Sequence, residues 1–126
     1  MKKVKFDNAE AIALHQRLGR TLTVDQAKPM KLEGWLVDDH LCVQKPAPDG
    51  DAGWRVSLYP WGDLIASEFF TKADATAFAK DVSALEIDWK RIRSAGIDDG
   101  SYQIAIVQVR AIRAMYEVDG LMKSPD

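Results

Sequence analysis

Reactive side chains are scarce in this chain. Its 126 residues include one cysteine, Cys42, and two histidines, His15 and His40. A lone cysteine excludes an internal disulfide and the multi-cysteine zinc sites, and it fits a reducing, cytoplasmic setting. Nucleophilic catalysis needs a nucleophile with a base in reach, most often histidine. His15 falls in a helical stretch. His40 and Cys42 would share one face of a strand, yet no motif of a cysteine hydrolase accompanies them, and a buried strand cysteine is the plainer reading. No G-x-G-x-x-G and no Walker sequence is present to cradle a phosphate. Metal ligands are densest at Asp38, Asp39 and His40, and three adjacent residues rarely converge on one ion. "DGDAG" (49–53) opens like a calcium loop, but Pro60 stands where its glutamate belongs. The expectation is a chain that is not an enzyme and uses no metal and no cofactor.

Long apolar runs are missing too. "MKKVKFDNAE" starts basic, but polar residues interrupt it before any signal-peptide core, and nothing approaches the roughly 18 residues of a membrane span. A formal net charge of −2 supplies no overall drive toward nucleic acid or anionic membrane. What is present is ordinary globular material, 47% hydrophobic and 29% charged, in an amount that suits one domain, 1–126.

Periodicity orders that material into an α+β fold. "FDNAEAIALHQRLG" predicts a helix over 8–18: Asp7 and Glu10 have capping-box spacing, Phe6 sits at the staple position, Ala11, Leu14 and Leu18 line one face, and Gly19 ends it. Four strand-like runs follow at 31–37, 41–45, 54–59 and 64–70. "DDH", a proline- and glycine-rich loop (46–53) and "PWGD" separate them, the last reading as a type I turn. Thr71 caps a helix over 72–85, and a shorter one covers 88–95. "YQIAIVQV" has the β-branched content of a strand, but neither alternating set is polar. On a helix, Gln103, Arg110, Arg113 and Glu117 gather on one side, so 101–118 is read as a helix capped by Asp98, Asp99 or Ser101. The sum is an antiparallel meander of about four strands with the helices packed on one face.

In such a meander the "DDH" and "PWGD" turns share one end of the sheet. Asp38, Asp39, His40, Tyr59, Trp61 and Asp63 would then form one rim. A large aromatic ringed by carboxylates has the composition of a hot spot for a basic protein partner. The leading expectation is a non-catalytic protein-binding module: an adaptor, or an inhibitor or modulator of a larger protein, of the kind phages and mobile elements carry. In the competing reading, Trp61 folds back to cover the core, where Trp35, Trp54 and Trp89 are already expected. A second expectation is nucleic-acid binding through Lys90, Arg91 and Arg93 of "WKRIR", joined by Arg110 and Arg113. A third is a homo-oligomer built on the surplus apolar face of the 101–118 helix.

Overall fold

The structure, a computed structural model, describes residues 1–24, 27–46, 53–95 and 100–123. The fold is α+β. Strands β1 (Lys2–Asp7), β2 (Lys31–Leu36), β3 (Leu41–Gln44), β4 (Trp54–Leu58) and β5 (Leu64–Phe69) form one antiparallel sheet in sequence order. Helices α1 (Ala9–Arg17), α2 (Lys72–Ser83), α3 (Trp89–Ala95) and α4 (Ser101–Val118) complete it. The meander is therefore as read from the sequence, with one strand more. β1 went unread because Phe6 and Asp7 also suit a helix staple and cap. In the structure Asp7 closes the strand, Asn8 takes the N-cap position, and Phe6 packs edge-on against Tyr59 at 5.3 Å between ring centres.

One face of the sheet carries the main core. Leu41, Val43, Val56, Leu58 and Phe69 meet Ala75, Phe78, Ala79 and Val82 of α2, Trp89 and Ile92 of α3, and Ala105 and Val109 of α4. Local sequence sets these helices up. The Thr71 hydroxyl accepts from the Asp74 N–H (3.1 Å) at the start of α2, and the Asp88 carboxylate accepts from the Arg91 N–H (3.1 Å) at the start of α3. Gly100, at φ +76°, holds the N-cap position of α4 and Ser101 is its first residue, while Asp98 and Asp99 lie outside the described residues. Of the 46–53 loop, 47–52 likewise lie outside them.

The other face is concave, and here the one-face expectation is corrected. α1 lines a cavity together with Leu32, Gln44 and Ser57, the side of the sheet opposite α2. Alternation demands this split: Leu41 and Val43 point to one side, Cys42 and Gln44 to the other. Curling closes the concavity. Phe6 of β1 reaches Tyr59 beyond the end of β4, although β2 and β3 lie between them in the sheet. Gly34 permits the bend. A Cβ there would overlap the Val43 carbonyl oxygen and lie 2.7 Å from Cys42 Sγ. Register shifts between β4 and β5 add local twist, and Glu68 adopts φ +71° beside them. The C-terminal segment then covers part of the β5 edge, with Met122 bridging Phe69 and the Lys123 N–H donating to the Glu68 carbonyl (2.8 Å).

Candidate functional site

The two turns do meet at one rim. Asp38 Oδ1 accepts from the His40 and Leu41 N–H groups, both at 2.8 Å, which fixes the first turn. His40 then ties that turn to the second: its carbonyl accepts from the Tyr59 N–H (2.8 Å) and its Nδ1 donates to the Tyr59 carbonyl (2.9 Å). The imidazole stacks on Trp61, 4.9 Å between centres and 27° between planes. The second turn is not type I. Residues 59–62 form a four-residue loop closed by Leu58 and Asp63, and the Tyr59–Pro60 bond is cis. Gly62 is required in it at φ +93°, since a Cβ would lie 2.6 Å from Asn8 Cα.

Trp61 is not a projecting tip. It is half-buried against the main core, its carbonyl accepts from the Ala11 N–H (3.2 Å), and the Arg93 guanidinium lies 5.4 Å from its ring centre. Tyr59 is engaged by Phe6. Asp63 leaves the rim altogether. It is 1% exposed, and its Oδ2 accepts from Arg93 (2.8 Å) and from the Tyr102 hydroxyl (3.0 Å). Burial pushes its carboxyl above the usual range, against the opposing pull of Arg93 and Tyr102. Burial, with the charge of Asp63 behind it, also raises the Tyr102 phenol. Among the described residues no hydrogen bond reaches Asp63 Oδ1. Beside Trp61 lies an open cleft of about 470 Å³ whose charged neighbours are Glu10, Arg17, Lys90 and Arg93. The expected ring of carboxylates therefore reduces to Asp39, which is exposed, and Asp38, which is spent on its turn.

The basic set is divided as well. Lys90, Arg91 and Arg110 are exposed, but Arg93 is buried in the Asp63 ion pair and Arg113 Nε pairs with Glu117 at 3.1 Å. Cys42 is fully buried, its thiol pushed up to about 12, and its neighbour on the sheet face is not His40. Among the described residues no group of three His, Cys, Asp or Glu side chains is placed to hold a metal ion.

Two surfaces lay beyond the sequence reading. Trp35 and Trp54, expected in the core, are half-buried, 6.3 Å apart, and the Lys72 ammonium stands 3.8 Å over Trp35 with Lys3 and Lys45 at 5.8 Å. Lys3 is the direct cross-strand partner of Trp35, so the cluster was invisible without β1. The concave-side cavity was hidden for the same reason, being walled by segments that have no period.

Comparison of the chain with protein-family models, curated proteins and solved structures finds no match. Function has to be argued from the surfaces themselves.

Among the described residues, exposed large apolar side chains gather on α4. Its inner face, Ala105, Val109, Ile112 and Tyr116, packs on the core. Its outer face leaves Ile104 65%, Val107 62%, Met115 65% and Val118 87% exposed. Ala111 and Ala114 are exposed between them. No helix among the described residues is long and apolar enough to cross a membrane.

Proposed function

We propose that this is a non-catalytic protein-binding domain that works through the outer face of α4, and that its partner there is a second copy of the chain, paired antiparallel. The observation that carries the reading is the exposed stripe Ile104, Val107, Ala111, Ala114 and Val118, spaced 3, 4, 3 and 4 along the helix. Such spacing is the seam of a helix pair, and the two central alanines permit close approach.

The flanks of the stripe are self-complementary. When Ala111 faces Ala114 of the second copy, Val107 faces the copy's Val118. Arg110 then falls opposite the copy's Glu117, and two-fold symmetry makes that contact twice. A seam of about 21 Å is small by the standards of permanent dimers, so reversible association at about micromolar concentration is expected. An adaptor or modulator role would follow from what the paired domain holds together.

Sedimentation velocity across a concentration series tests this. Wild type should show concentration-dependent dimerisation, and Val107→Lys should be monomeric with unchanged circular dichroism. Arg110→Glu and Glu117→Arg should each weaken self-association by about tenfold, since each makes the flank repulsive. Mixed together they should form a heterodimer, because every cross pair is then opposite in sign. A monomeric wild type at high concentration, or no rescue in the mixture, would overturn the proposal.

A further inference from the structure

The concave face of the sheet holds a cavity of about 440 Å³, within the range of small-molecule sites. α1, residues 20–22, Met30 and strands β2 to β5 line it. Its sides are apolar, with Ile12, Leu22 and Leu32 among them, but its floor is not. Gln44 and Ser57, on neighbouring strands and each 2% exposed, lie there. The Ser57 hydroxyl donates to Gln44 Oε1. That bond occupies the acceptor end of the amide. Gln44 also lines the cavity, so the NH₂ end of the amide is the donor end it can turn to a ligand there.

The charge of the lining points the same way. Arg20 borders the cavity, and among the described residues no carboxylate does, in a chain whose acidic residues outnumber its basic ones. Arg20 is held in place: its Nη1 donates to His15 Nδ1 at 3.1 Å. Burial and the nearby Arg20 charge both disfavour protonation of His15, so the imidazole stays an acceptor that steers the guanidinium. Asn8 and Met30, also in the lining, are tied together, the Asn8 amide donating to the Lys28 carbonyl (3.2 Å) and accepting from the Met30 N–H (2.8 Å).

We infer that this cavity binds a small organic carboxylate with an apolar body, its carboxylate received by the Gln44 amide and the Arg20 guanidinium and its body by the Ile12, Leu22 and Leu32 walls. This site is independent of the α4 pairing face, which lies across the sheet.

Octanoate is a suitable probe, titrated into the ¹⁵N-labelled protein, with octanamide and octyl phosphate as comparisons. Octanoate should saturate and shift the Gln44 side-chain amide resonances. Octanamide should bind about tenfold more weakly, as loss of one charge-assisted hydrogen bond implies. Arg20→Gln should weaken octanoate by a similar factor while leaving octanamide unchanged. Leu22→Trp, which fills the void from its wall, should abolish the Gln44 shifts while the rest of the spectrum keeps its dispersion. The inference fails if octanoate does not saturate, if shifts map to α4 instead of Gln44, if octanamide binds equally well, or if octyl phosphate is preferred.

Discussion

Asp63 shows how far a single residue can stand from its apparent role. It follows an exposed-looking turn, yet Arg93 and Tyr102, both distant in sequence, close over it. The pair is costly to form and more costly to break, because removing one member leaves the other charge buried. Arg93→Met should therefore lose roughly 3 kcal/mol or more in urea denaturation. Adding Asp63→Asn should recover part of that loss, since the remaining amide still accepts from Tyr102. A double variant whose loss equals the sum of the two single losses would show that the two do not act as a pair. His15 makes the second residue-scale prediction. Its pKa is lowered from 6.5 by burial and then by Arg20, so between the folded and unfolded values the unfolded chain binds the extra proton. Stability from this group is fully present above 6.5 and declines as pH falls toward the folded value. His15→Gln should flatten the fall in urea midpoint between about pH 7.5 and 5.5, and a variant with the wild-type slope would remove His15 as its source. Asp63, with its pKa raised, has the opposite slope over a window opening at 3.8, so the comparison is made between variant and wild type at each pH.

At the scale of elements, Gly34 makes the sharpest claim. It sits inside a strand at the place where β2 bends over β3, with no room for a methyl group. Gly34→Ala should cost about 3 kcal/mol, with Trp35 and Phe6 environments changing together in near-UV circular dichroism and fluorescence. Unchanged stability would mean the curl does not depend on that glycine. The same element shows where sequence stopped being legible. Strands announced by alternation, 54–59 above all, and helices announced by a cap, Thr71 above all, fall where the pattern puts them, with ends within two residues. α4 was legible as a helix because its polar residues share a flank, and its outer face as surplus because one apolar face was already enough for the core. β1 was not, since two short-range signals competed for Phe6 and Asp7. Nor was the curl, and with it went the cavity, the side of the sheet taken by α1, and the lysines around Trp35. Each of those depends on which strand lies beside β2, and no local pattern reports that.

Taken whole, the molecule is two unequal layers on one sheet. The concave layer draws on Val4, Ala11, Leu14, Leu32 and Cys42, all near the start of the chain. The convex core is different: Phe69 and Phe78 are enclosed by Tyr116, with ring centres 6.0 and 5.5 Å from it, and by Met122. This division has a consequence for synthesis, which proceeds from the N-terminus. Every strand, and the helix that fills the concave side, leaves the ribosome before α2 begins. For that interval Leu41, Val43, Val56 and Leu58 have no cover, and a nascent sheet edge has no C-terminal segment beside it. The growing chain is at its stickiest after β5 is made, and it stays so until α4 and Met122 arrive to close the other side.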